Sequence, residues 1–371
     1  MKEDVKSIVR HFCLRGQLAS CAPVNRGHIN ETYILTTEKD GHAAQYVLQR
    51  INNAVFKDPA SMMTNIIRIT EHLADKMQDI DPALASRQLS VIRTNDGLGC
   101  YEDAEGNFWR VYNFIEGAVT RDVLESTEHA YESARMFGWF QRMLIDLPGP
   151  ALHETIADFH NTPLRLEVFR QVLDVDALNR ARDAKREIEF LVENADFASI
   201  LLDLADSGEI PERIAHNDTK INNVMLDEKT HKGVCVIDLD TVMPGLSLYD
   251  FGDMVRTATC SAAEDERDLS KVAVDLAMFE ALIRGYAAEA GRFLTSAEKK
   301  NLVSASKLIT FEQFIRFLTD HLAGDTYYKI SRDRHNLDRS RTQMKLVRSI
   351  IEQEEAMTEL VEEAFAKDSA Q

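Results

Sequence analysis

The sequence predicts an α+β protein in two unequal parts: a small antiparallel sheet, then a larger helical region with one embedded β-hairpin. Three observations predict it. Short β-branched and aromatic runs separated by turn residues fill about the first 115 positions. Apolar residues at helical spacing dominate beyond about residue 127. Between those helices lies a short β-type island at 214–241.

The elements follow in order. Residues 32–36 (TYILT) and 46–49 (YVLQ) read as strands, and the turn Glu38-Lys39-Asp40-Gly41 makes them a hairpin. Residues 59–77 carry Met62, Ile66, Ile69 and Leu73 at the spacing of one helical face. Further strands fit 89–93 and 108–114. A short one lies between them, bounded by the turn-rich Asn95-Asp96-Gly97 and Glu105-Gly106-Asn107. Past Glu116-Gly117 the character changes. Residues 127–146 form an amphipathic helix pattern containing Phe137, Trp139 and Phe140. Residues 163–205 give two more helical stretches, and 268 to the end is helical almost throughout. The expected division is 1–115 and 116–371.

Composition narrows the function. The 371 residues are 44% hydrophobic, an ordinary globular value. A net charge of −18 makes the chain a poor nonspecific partner for nucleic acid or an anionic membrane. An anionic nucleotide would then need metal ions or a few placed Lys and Arg. The five cysteines are odd in number and form no CxxC, which argues against a disulfide framework or a cysteine zinc site. The N-terminal residues carry charges of both signs around no long apolar stretch, unlike a secretory leader. No window approaches the roughly 18 apolar residues of a membrane span. A cytoplasmic location is expected.

The island carries the chemistry. His216-x-Asp218 opens a polar loop, and Asn223 follows five residues after Asp218 at the entry to Val224-Met225-Leu226. After a turn, Val234 to Ile237 ends in Asp238. An antiparallel hairpin would set Asn223 beside Asp238, where an amide oxygen and a carboxylate suit a hard cation such as Mg²⁺. Asp218, in the loop just before, is placed to accept a proton from an attacking hydroxyl. Base, downstream Asn and a second Asp after a hairpin are the parts of a phosphoryl-transfer site, which needs positioning and charge neutralisation more than covalent chemistry. His216 is expected to hold the loop by hydrogen bonds. Asp250-Phe251-Gly252 spells another kinase signature, but it opens a helix 32 residues after Asp218. The metal role therefore goes to Asp238. Asp250 is expected to cap that helix and brace the loop through backbone N–H groups. For Asp240, two readings stand: added negative charge near the metals, or a solvent-facing residue.

The run HNDTKINN…VIDLDT…YDFGD resembles the aminoglycoside phosphotransferase and choline kinase superfamily. Within it, the nearer likeness is to bacterial N-acetylhexosamine 1-kinases. That likeness includes Gly27-His28-Ile29-Asn30, Trp109-Arg110-Val111-Tyr112, Phe159-His160-Asn161-Thr162-Pro163, and Arg316-Phe317-Leu318 with Gly324-Asp325-x-Tyr327. The resemblance implies a two-lobed, protein-kinase-like fold, with residues 1–115 holding ATP and 116–371 the acceptor. It implies phosphorylation of the anomeric hydroxyl of N-acetylglucosamine or N-acetylgalactosamine. Asp218 would be the base, and Asn223 and Asp238 would hold Mg²⁺. His28, Lys220, Arg316 and Tyr327 would touch the sugar, with Lys220 near enough to the base to meet a transferring phosphoryl oxygen. A salt bridge in an acidic helical lobe is the alternative for Arg316. Choline, homoserine, methylthioribose or an aminoglycoside are the alternative acceptors.

Two departures from the family pattern stand out. The turn expected over the phosphates, Asn25-Arg26-Gly27-His28-Ile29-Asn30, has one glycine, so Arg26 or Asn30 would help hold the nucleotide. The strand position that usually carries a phosphate-binding lysine is Gln49, and Arg50 alternates to the other face. A noncatalytic binding module would explain Gln49, but Asp218, Asn223 and Asp238 together argue against it. Tyr112, Asn113, Phe114 and Ile115 would form the hinge against adenine.

Overall fold

The computed structural model describes residues 5–24, 29–121, 124 and 126–368. The N-terminal region is an α+β unit built on one antiparallel sheet. It comprises α1 (Val5–Val9), β1 (Gln17–Val24), β2 (Glu31–Lys39), β3 (His42–Arg50), α2 (Pro59–Ile80), α3 (Pro82–Ala85), β4 (Val91–Ile92), β5 (Tyr101–Glu102) and β6 (Phe108–Asn113). The strands run in the order β1-β2-β3-β6-β4, with β5 also on β6. The β2–β3 turn forms where the sequence places it, with Asp40 and Gly41 both at positive φ. Strand alternation sorts the side chains. Leu35, Tyr46, Leu48, Trp109 and Val111 bury with Ile8 and Val9 of α1 in one cluster. Gln49, Arg110 and Tyr112 alternate away from it. The strand expected at 89–93 contracts to two residues, because the Ser90 N–H is taken by the Asn113 side chain instead of a strand partner.

Helix α2 starts sharply. Asp58 accepts from the Ser61 N–H, and Pro59 occupies the first turn. Its buried face, Met62, Ile66, Ile69 and Leu73, joins Phe137 and Phe140 in the main core.

The rest of the chain is mostly helical. It runs β7 (Ala118–Val119), α4 (Thr127–Leu144), α5 (Thr162–Val175), α6 (Lys185–Glu193), α7 (Ile200–Asp206), β8 (Arg213–Ala215), β9 (Val224–Asp227), β10 (Gly233–Val236) and β11 (Met243–Gly245). It ends with α8 (Ser247–Ala258), α9 (Leu276–Ala290), α10 (Ser296–Lys300), α11 (Leu302–Ala323), α12 (His335–Glu352) and α13 (Glu354–Asp368). Three α-helices, not two, occupy 163–205, separated by 3-10 turns and a left-handed Asp176. The hairpin β9–β10 forms as expected, and β7 adds to its β9 edge. The segment around Pro244 reads as a turn in the sequence but pairs with β8 as β11. A proline is tolerated there because the two-stranded ribbon leaves an edge where its missing N–H is not needed. Among the described residues, no helix is long and apolar enough to cross a membrane.

Candidate active site

The loop between β8 and β9 carries the predicted chemistry, and its side chains are held from several directions. The Lys220 ammonium lies 2.8 Å from one Asp218 carboxylate oxygen. The Asn223 amide donates to the Asp218 carbonyl at 2.8 Å and faces its other carboxylate oxygen at 3.4 Å. Across the hairpin, the Ile237 N–H donates to the Asn223 carbonyl at 2.9 Å, so Asp238 stands one residue past that pair. Burial would raise the Asp218 carboxyl. Lys220, with help from Arg256, outweighs it and holds the group below its ordinary value. A proton acceptor that stays ionised at neutral pH is the result.

Asp238 is the opposite case. Desolvation by the protein packed around it, then the neighbouring Asp240 and Asp218 carboxylates, push it up to about 6, although the residue itself is exposed. Its backbone is left-handed, a conformation that Asp tolerates better than most side chains. The donor set fits a divalent cation. Asp238 is exposed, a carboxylate crowded by Asp240 and Asp218 gains from a positive charge, and Asn223, with its nitrogen on Asp218, keeps its side-chain oxygen for a ligand.

His216 does what the sequence predicts. Its Nε2 meets the Ile237 carbonyl at 3.0 Å and its Nδ1 accepts the Asp218 N–H at 3.3 Å, which assigns the neutral Nε2–H tautomer. The Phe137 and Phe140 rings pack edge-on against it. Asp250 braces the loop as expected, accepting from the His216 and Asn217 N–H groups at 2.9 and 2.7 Å. It does not cap its helix. Leu246 holds the cap position of α8, and the Asp250 side chain points back into the loop. The Gln141 amide, itself oriented by the Tyr286 hydroxyl, adds a third bond to Asp250 at 2.6 Å. The sequence shows no sign of this partner, 109 residues away.

On the nucleotide side, Arg26 and His28 lie outside the described residues. Asn30 is committed within the protein: its Nδ2 donates to Asp240 at 2.8 Å and its Oδ1 accepts the Asn52 N–H. Arg50 turns to Glu31 and Asn107, away from Gln49. Asp240 does not face solvent. It is 2% exposed and forms a two-pronged ion pair with Arg110. Arg110 was missed as a site residue. The available signal was a cation in the middle of the apolar strand FWRVY, on the same strand face as Tyr112. Of the hinge segment, Tyr112 is buried in the sheet, and Asn113 is bound to Ser90 and Gln88 through its N–H and both side-chain atoms. Ile115 is buried as well, in a small cluster with Ala118, Val234 and Cys235, and Phe114 is half-buried.

On the acceptor side, Arg316 stands among the rings of Phe159, Tyr327 and Tyr328 at 5.7–6.0 Å, with Gln313 as a hydrogen-bond partner. Tyr327 is exposed. Its turn is pinned by Asp320, which accepts the N–H groups of Thr326, Tyr327 and Tyr328. His160 ties the two regions together, bonding to Glu312 at 3.0 Å and to the Asn217 carbonyl at 3.2 Å.

A sequence profile of the phosphotransferase enzyme family matches residues 20–292. The chain belongs to that family. The fold of this phosphotransferase recurs in solved structures at low sequence identity. An aminoglycoside phosphotransferase from Alicyclobacillus acidocaldarius is 14% identical over 99% of this chain and 98% of its own, with a TM-score of 0.56. A choline kinase from Cryptosporidium parvum Iowa II is 14% identical over 90% of each chain, with a TM-score of 0.54. A spectinomycin phosphotransferase, solved with ADP and spectinomycin, is 14% identical over 95% of this chain and 94% of its own, with a TM-score of 0.50. The antiparallel N-terminal sheet with a helical remainder is thus the protein-kinase-like fold that the sequence predicts.

Proposed function

We propose that this phosphotransferase is an ATP-dependent kinase that phosphorylates the anomeric hydroxyl of N-acetylhexosamines. In this reading residues 1–115 form the nucleotide lobe and 116–371 the acceptor lobe. The observation that carries the kinase reading is Asp218 held between Lys220 and Asn223, with Asp238 directly across the hairpin. Asp218 accepts the proton of the attacking hydroxyl and keeps it in line with the phosphate. Lys220, on the same carboxylate, holds that base ionised and meets the transferred phosphoryl oxygens. Mg²⁺, held by Asn223 and Asp238, would neutralise charge on the transferring phosphate. The ADP in the spectinomycin enzyme of the same fold supports ATP as donor.

The amino-sugar acceptor rests on sequence likeness and on the charge at the acceptor side. Choline, ethanolamine and aminoglycosides are cations, which acidic and aromatic pockets favour. Here Lys220 and the half-buried guanidinium of Arg316 face that side, which suits a neutral, hydroxyl-rich acceptor. Arg316 and Tyr327 would stack on and bond to the sugar, and the sequence likeness adds His28 to the sugar contacts.

The test is turnover of Mg²⁺-ATP with N-acetylglucosamine and N-acetylgalactosamine, followed by ³¹P NMR, with Asp218→Asn as control. An anomeric phosphate doublet that is absent in the variant is the expected result. Turnover of choline, homoserine, methylthioribose or an aminoglycoside, with none of the hexosamines, would overturn the acceptor and keep the kinase.

A further inference from the structure

Gln49 lacks the charge that its strand position usually brings to a nucleotide, yet the structure holds a cation beside it. Strands β3 and β6 are antiparallel, and Gln49 is the direct partner of Arg110. The Arg110 side chain is 1% exposed. Its Nε and Nη2 donate to the Gln49 carbonyl oxygen at 3.0 and 2.8 Å. Its Nη1 and Nη2 take the two oxygens of Asp240, the second at 2.9 Å. The remaining N–H faces the Met63 sulfur at 3.9 Å. All five donors of the guanidinium are therefore spent inside the protein, and none is left for a phosphate.

What Arg110 does instead is orient. With its oxygen on Arg110, the Gln49 amide must turn its NH₂ group outward. One of those N–H groups donates to Thr32 Oγ1 on β2 at 3.1 Å, and the other is uncommitted among the described residues. Asp240 is immobilised at the same time. Arg110 and Asn30 together give its carboxylate three N–H partners, which ties it into the sheet and leaves Asp238 as the freer carboxylate of the pair.

We propose that Arg110 is the positioning residue of the nucleotide site: it fixes Gln49 with an amide N–H toward the nucleotide phosphates and ties up the Asp240 carboxylate that neighbours Asp238. This rests on the kinase reading above. The missing lysine charge has moved one strand inward and acts through a neutral amide. Restoring a lysine at position 49 alone would then set an ammonium against a guanidinium at hydrogen-bond distance. Exchanging the two residues together would keep one cation, one amide and the Asp240 partner.

The test is a swap cycle of wild type, Q49K, R110Q and Q49K/R110Q, with Mg²⁺-ATP affinity by calorimetry and thermal melting for each. Both single variants should bind ATP about tenfold or more weakly and melt lower, because one creates a like-charge contact and the other strands a buried carboxylate. The double variant should recover most of both losses. R110K, which keeps the charge but cannot bridge Gln49 and Asp240 as a planar fork, should raise KM for ATP while leaving KM for the acceptor unchanged. That split separates positioning of the nucleotide from a general loss of folding. Q49K binding ATP as tightly as wild type, or a double variant no better than the worse single, overturns the inference. Wild type failing to bind Mg²⁺-ATP would sink the kinase reading and this inference with it.

Discussion

At the scale of single residues, the base and its holders are separable. Asp218 and asparagine have the same shape, so Asp218→Asn should leave one side-chain oxygen for Lys220 and the Asn223 bond to the backbone carbonyl in place while removing the proton acceptor. Turnover should fall about 10²–10⁴-fold with Mg²⁺-ATP binding intact by thermal shift. A loss under about tenfold would mean that Asp218 only positions the acceptor. Asp250 is a different kind of residue, because it collects two backbone N–H groups and the Gln141 amide in a site closed to water. Asp250→Ala should cost about 1–3 kcal/mol for each donor left unmade, read from urea unfolding, and lower turnover through a slackened loop. These residues differ in how far the sequence alone reveals them. Asp218, Lys220 and Asn223 lie within six positions, and one short hairpin brings Asp238 to them, so spacing alone assembles the group. Arg110 and Asp240 are 130 residues apart, and neither their pairing nor the commitment of Asn30 leaves a periodic trace.

Among the elements, those with strong local signals are legible and those made by pairing are less so. The β2–β3 turn, the capped start of α2 and the apolar stripe of α4 each declare themselves within a dozen residues. Strand β11 does not, because Pro244 argues for a turn and only β8 makes it a strand. Close helix crossings are equally silent in the sequence. At Gly285, on α9, an added Cβ would sit 2.1 Å from the Tyr131 carbonyl of α4, so the two backbones touch there. A backbone oxygen in α4 cannot rotate aside as a side chain does. Gly285→Ala should therefore destabilise by about 1–3 kcal/mol or more, despite the better helix propensity of alanine. A variant at least as stable as wild type in urea would show that α4 and α9 separate freely.

For the whole molecule, the buried pair His160–Glu312 makes stability depend on pH in a defined direction. Both ring nitrogens of His160 act as donors, one to Glu312 and one to the Asn217 carbonyl, which calls for the charged imidazolium. Burial alone would lower its pKa, but Glu312 and, more weakly, Asp253 of α8 raise it above 6.5. Burial likewise opposes ionisation of Glu312, while His160, then Arg316 and the Thr162 hydroxyl, hold it below 4.5. The neighbouring Tyr249 and Phe159 rings carry no charge that competes at neutral pH. The sign follows from these directions. The raised histidine contributes fully below 6.5 and loses its share as pH climbs through its folded value; the lowered glutamate contributes fully above 4.5 and loses its share as pH falls through its own. The pair is thus whole between 4.5 and 6.5. His160→Gln should be less stable than wild type by about 3–5 kcal/mol in that window, because Glu312 is left buried without its cation. The gap should narrow toward alkaline pH, where wild type loses the same cation by titration. The net charge of −18 makes both proteins pH-sensitive, but that self-repulsion is common to them and cancels in the difference. Urea unfolding of the two proteins at about pH 5.5 and about pH 9 measures it. A gap that stays constant or widens with pH would mean that His160 is buried neutral and that no buried ion pair forms with Glu312.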